Sequence, residues 1–91
     1  MDIKKIFNCK VKRKIVHFFH NNPASIDSLR GIMTWTGLAK KEATKALEEL
    51  VKYGVLMAHR STSTVGYAYT GDKKLIDKIK KYFQYFQDEV K

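Results

Sequence analysis

Residues 36–56 read TGLAKKEATKALEELVKYGVL. Ala43, Leu47, Leu50 and Val51 recur at steps of three and four, which puts them on one side of a helix spanning roughly residues 39–53. Gly37 precedes that helix and Gly54 follows it, and a glycine just past a helix end accepts the left-handed backbone that stops it. On the outward side near the leading end stand Lys40, Lys41, Thr44 and Lys45, with Glu48 and Glu49 one turn later. The segment is a helix with an apolar inner side and a cationic leading tip.

Upstream, Ile3, Ile6, Phe7, Val11, Ile15, Phe18 and Phe19 keep helical spacing with lysines opposite them. Asn8 can break that run, so either one helix or a short lead followed by a helix from about Cys9 fits; Asn21, Asn22 and Pro23 end it. Ser25 is placed to cap a second helix, with Asp27 in its first turn and Ile26, Leu29, Ile32 and Met33 as its buried side, closing at Gly37. Downstream the period changes to two. Residues 55–59 and 65–70 read as short strands, with Tyr67 and Tyr69 on one face of the second. The Ser- and Thr-rich residues 60–64 form the hairpin tip. Beyond Gly71, helical spacing returns through Leu75, Ile76, Ile79, Tyr82, Phe83, Phe86 and Val90.

This order, together with Gly37, Ala43, Leu47, Leu50 and Gly54, resembles the winged helix-turn-helix regulators of prokaryotes, of the ArsR and MarR kind. VKRKIVHFF (residues 11–19) is similar to their first core helix and GYAYT (residues 66–70) to their second wing strand. The resemblance covers nearly the whole chain and implies a mainly α fold with a small β-hairpin: a three-helix core, a wing and a C-terminal dimerisation helix. Two features depart from the pattern. The helix before the turn reads about three residues longer than usual, the surplus lying near residues 33–35. Ala39 stands where Ser or Thr usually caps the recognition helix, removing an acceptor for its first amides.

The length, 91 residues, suits one domain, with residues 1–71 as core and wing and 72–91 as a final helix. A net charge of +9, from 18 basic and 9 acidic residues, favours a polyanionic partner. The charge is uneven: residues 3–25 hold six cations and no acid, and residues 52–71 hold no acid either. No apolar run is long enough to span a bilayer and the start lacks the apolar centre of a signal peptide, so a cytoplasmic protein without membrane contact is expected.

The resemblance and the charge together imply a sequence-specific regulator that binds double-stranded DNA as a homodimer. Lys40, Lys41, Thr44 and Lys45 would enter the major groove by the helix tip, where lysines meet phosphates or guanine edges. Arg60, Ser61 and Thr62 would reach backbone or minor groove from the wing. Lys12, Arg13 and Lys14 read as further phosphate contacts or as plain solubilising charge. The last helix carries more large apolar residues than so small a core needs, so Leu75, Ile79, Tyr82, Phe83 and Phe86 are expected to form a two-fold interface, joined by Ile3, Ile6 and Phe7. The alternative is a winged helix that binds another protein and no DNA; binding of RNA or single strands would lean on Tyr67 and Tyr69 alone.

No nucleophile with an oriented base, carboxylate pair or phosphate-cradling glycine loop occurs, so catalysis is not expected. His17, His20 and His59 have no Cys or acid at ligand spacing, and the paired cysteines of the metal-sensing ArsR proteins are missing, so no metal or other cofactor is expected. Cys9, the one cysteine, reads as a small packed hydrophobe, and Trp35, the one tryptophan, as core.

Overall fold

The computed structural model describes residues 6–85. Helix α1 (Lys10–Asn21) is followed by strand β1 (Ile26–Ser28), helices α2 (Leu29–Thr36) and α3 (Lys40–Lys52), strands β2 (Leu56–Arg60) and β3 (Val65–Tyr69), and helix α4 (Lys73–Tyr85). The architecture is mainly α with a small antiparallel sheet of strand order β1-β3-β2.

The core is what the helical spacings demand. Ile15, Val16 and Phe19 of α1, Ile32 of α2, and Ala46, Leu47 and Leu50 of α3 are buried together. Val55, Leu56 and Tyr69 close the layer from the sheet side. Gly37 and Gly54 both have positive φ, 72° and 81°, and so end α2 and α3 as their positions suggest. The Gly37 amide donates to the Met33 carbonyl at 2.9 Å, completing the turn between the two helices.

The start of α2 corrects the sequence reading. Ser25 does not cap a helix; its hydroxyl donates to the Asp27 carboxylate at 2.6 Å. The cap is Ser28, whose hydroxyl accepts from the Gly31 amide at 3.3 Å. Residues 26–28 are a strand, with Ile26 opposite Ala68, Asp27 opposite Tyr67 and Ser28 opposite Gly66. The surplus length assigned to residues 33–35 is therefore these three strand residues at the other end. Ile26, Leu29 and Ile32 keep a spacing of three by coincidence of a strand abutting a helix, and Ile26 is 64% exposed where the reading had it buried. Pairing edge to edge with β3 satisfies backbone groups that a two-stranded wing would leave open.

Trp35 is a second correction. Its side chain is 70% exposed and stacks on Phe18, ring centroids 6.1 Å apart, at the outside of α1. The core behind it is already filled by Ile32, one turn before, and by Phe19.

Helix α4 folds back on its own chain. Asp72 caps it, accepting from the Lys74 and Leu75 amides at 3.0 and 3.4 Å. Leu75 and Ile79 are buried in the common core, while Tyr82 stacks on Phe7 at 4.1 Å and Phe83 meets Phe7 edge-on at 5.2 Å.

Candidate nucleic-acid interface

The turn between α2 and α3 is held by Thr36, whose hydroxyl donates to the Ile32 carbonyl at 2.6 Å and accepts from the Leu38 amide at 3.4 Å. Ala39 then enters α3 with extended backbone and no side-chain cap. The first amides of α3 thus have no side-chain cap, and the positive end of the helix adds to the lysines beside it, with Glu42 as the acid of that turn. Ala43, Ala46, Leu47 and Leu50 anchor the inner side, which leaves Lys40, Lys41 and Lys45 exposed and Thr44 half-buried.

The sheet sets where the wing lies relative to that tip. Cross-strand partners project from the same face, so Leu56–Tyr69, Ala58–Tyr67 and Arg60–Val65 share one face in register. At the inner end this face is core; at the outer end it carries Arg60. Val65, Tyr67 and Thr64 line a hollow whose other wall is Lys40 with Arg30, Leu29 and Met33 of α2. Among the described residues no acid lines it. The start of α3 and the wing therefore border one hollow, whose cations are Lys40 and Arg30.

Lys45 stands on the opposite flank of α3, by a hollow shared with Cys9, Val11, Glu42 and Glu49. The cations of α3 straddle the helix, with Lys40 toward the wing and Lys45 toward α1. At the wing tip Ser61 is committed to the turn itself: its amide and hydroxyl both donate to the Thr64 carbonyl, at 2.9 and 3.0 Å, and its hydroxyl accepts from the Thr64 amide at 3.2 Å. Thr62 and Arg60 are exposed. Arg30 is a residue the sequence reading passed over; its signal was an exposed cation at the start of α2, hidden while residues 26–28 were read as helix.

The basic run of α1 divides. Lys12 is buried and paired with Glu49 of α3 at 2.5 Å, with its ammonium 5.6 Å from the centre of the Tyr53 ring. It is a structural cation, which corrects its reading as a phosphate contact or solubilising charge. That pairing holds the Glu49 carboxyl below its usual range. Lys10, Arg13 and Lys14 lie on another face of α1, around a hollow with His17, Phe18, Trp35 and Phe83.

Of the residues expected to pair two subunits, Leu75 and Ile79 are used inside this chain, and Tyr82 and Phe83 are half-buried there. Ile6 and Phe7 are likewise buried in its own core, whereas Ile3 and Phe86 lie outside the described residues. His20 donates to or accepts from the Tyr69 hydroxyl at 3.2 Å. Burial, helped by His17 and Lys80, holds the His20 pKa below the ordinary value, and burial pushes the Tyr69 hydroxyl up to about 12. Among the described residues no cluster of three His, Cys, Asp or Glu side chains stands ready for a metal ion, and no helix is long and apolar enough to cross a membrane.

No protein-family model and no curated protein matches the chain. Solved structures do. The antimony-specific transcriptional repressor AntR is similar over 94% of this chain and 74% of its own, with a TM-score of 0.72 at 12% identity. A possible transcriptional regulator from Methanosarcina mazei Go1 is similar over 97% and 78%, with a TM-score of 0.71 at 16% identity. The homodimeric winged helix-turn-helix DNA-binding domain of Mb0332 from Mycobacterium bovis, described as a possible ArsR-family regulator, is similar over 96% and 76%, with a TM-score of 0.67 at 18% identity. The chain has their winged helix-turn-helix fold.

Proposed function

We propose that this chain is a DNA-binding transcriptional regulator that acts as a homodimer, with α3 in the major groove of a duplex and the wing on the backbone or minor groove. The observation that carries the reading is the hollow that Lys40 shares with the wing, with Arg30 as a second cation and no acid among the described residues that line it. A helix tip of this motif enters the groove with its N-terminal residues, which here are Lys40, Lys41, Thr44 and Lys45. Arg60 and Thr62 extend the contact from the wing. Mb0332, described as a homodimeric DNA-binding domain, supports both parts of the reading by likeness of fold. The homodimer would rest on the open parts of Tyr82 and Phe83 with the apolar residues that follow them in sequence.

Duplex binding at several salt concentrations tests the proposal. Each lysine that meets a phosphate adds about 0.9 to the steepness of affinity against salt, so Lys41→Ala and Lys45→Ala should each weaken binding and flatten that slope. Sedimentation tests the dimer. A monomer that ignores duplex at low salt would favour the protein-interaction reading. Selecting bound fragments from random duplexes would show whether the target is a two-fold repeat.

A further inference from the structure

We propose that the hollow between the start of α3 and the wing seats one sugar–phosphate strand of the duplex and selects deoxyribose over ribose. The inference rests on the DNA reading and deepens it, because it assigns the sugar chemistry that the site accepts. A helix tip in the major groove and a wing on the adjacent minor groove leave between them the strand that parts the two grooves. In this chain the hollow occupies that place: Lys40 stands on its α3 side, and Thr64, Val65 and Tyr67 stand on its wing side.

The lining offers two kinds of chemistry, and the strand needs both. Arg30 and Lys40 come from different helices and supply cations for the phosphates. Leu29, Met33, Val65 and Tyr67 supply apolar surface, which suits a deoxyribose, whose C2′ carries only hydrogens. The volume, about 620 Å³, lies in the range of small-ligand sites and has room for a sugar with its flanking phosphates.

A ribose would bring its 2′-hydroxyl, both donor and acceptor, against that apolar surface. The two aliphatic hydroxyls of the lining are already engaged within the chain. Ser28 accepts from the Gly31 amide at 3.3 Å, and Thr64 Oγ1 is hydrogen-bonded to Ser61 Oγ at 3.2 Å. A hydroxyl buried without a partner loses its water and regains nothing. A second copy of the chain is a poorer occupant, since a two-fold contact through the hollow would set Arg30 and Lys40 against their own equivalents.

The probe is a duplex recovered by selection from random fragments, carrying one ribonucleotide moved stepwise along each strand. Binding should fall by about tenfold at neighbouring positions in each half-site and hold elsewhere. A 2′-fluoro sugar at those positions, which has a ribose-like pucker but no hydroxyl, should bind as deoxyribose does. Met33→Gln, which sets an amide beside the sugar, should narrow the gap between ribose and deoxyribose. Arg30→Gln should lower the salt slope by about 0.9 with the selected sequence unchanged. A flat scan, a 2′-fluoro loss equal to that of the ribonucleotide, or an unchanged slope in Arg30→Gln would each overturn the proposal. Dissociation of the homodimer by Arg30→Gln would give the hollow to a second copy and overturn it too. A chain that ignores duplex takes the DNA reading and this inference down together, whereas a flat scan on a duplex that Lys41→Ala weakens removes the inference alone.

Discussion

The Lys12 ammonium lies 2.5 Å from the Glu49 carboxylate, joining the first turn of α1 to the last turn of α3. The lysine side chain is only 10% exposed and the glutamate 35%, so the two partners are not equivalent. An ammonium held out of water needs an opposing charge, and removing that charge costs more than never having had the lysine.

Glu49→Ala should therefore destabilise the fold by about 1–3 kcal/mol, and Lys12→Met by clearly less, since methionine fills the same space without a charge. Urea midpoints measure both. Equal, negligible losses would show that the pair contributes nothing to holding α1 on α3. Because the Glu49 carboxyl sits below its usual range, its contribution is present above the unfolded pKa and is lost as pH falls through the folded one.

His20 gives a second pH dependence, in a higher window. Its folded pKa lies below the ordinary 6.5, because of burial first and then His17 and Lys80. The unfolded chain binds that proton more readily, so stability is full above about 6.5 and falls as the pH drops below it. The ring packs between Tyr69 and Phe83, so the loss should loosen α4 first. Thermal midpoints followed from neutral to mildly acid pH should fall in the wild type and less in His20→Gln. Parallel curves would remove His20 as the cause.

The elements legible in the sequence are those with many residues of one period. Helices α1 and α3 announce themselves through Ile15, Phe19, Leu47 and Leu50, and Gly37 and Gly54 mark ends because only the left-handed backbone stops a helix so sharply. Strand β1 was not legible. Three residues are too few to show a period of two, and their partners lie about forty positions away in β3. Its one local trace is Gly66, where a Cβ would meet Ile26 Cγ2 at 3.0 Å. The candidate interface was legible as a list of exposed cations on a helix tip. Which cations share a face was not, because that depends on the register Arg60–Val65 and on Lys12 turning inward, and neither is written in composition.

Gly37 and Gly54 allow a clean test of backbone strain. A Cβ on either would meet nothing within 4 Å, yet φ is 72° and 81°. Any loss on substitution is then conformational. Gly37→Ala and Gly54→Ala should each cost about 1–2 kcal/mol, and Gly54→Asn less than Gly54→Ala, because asparagine tolerates this region. Chemical unfolding of the three variants measures it. A neutral Gly37→Ala would mean that the turn before α3 adjusts its backbone.

Ala39 separates stability from binding. Its backbone is extended, φ −69° and ψ 152°, the conformation of a capping residue, but its side chain cannot accept a hydrogen bond. Ala39→Ser should add the missing acceptor for the α3 amides and stabilise the chain by about 1 kcal/mol. Ala39→Asp should stabilise similarly, since a carboxylate also opposes the positive helix end. The two should part on duplex DNA. Serine leaves the charge of the tip unchanged, whereas aspartate sets a negative charge beside Lys40 and Lys41, where a phosphate is proposed to lie. Thermal unfolding paired with duplex titration reads both quantities on the same variants. Equal duplex affinity for Ala39→Ser and Ala39→Asp, with both stabilised, would place the DNA contact away from the start of α3.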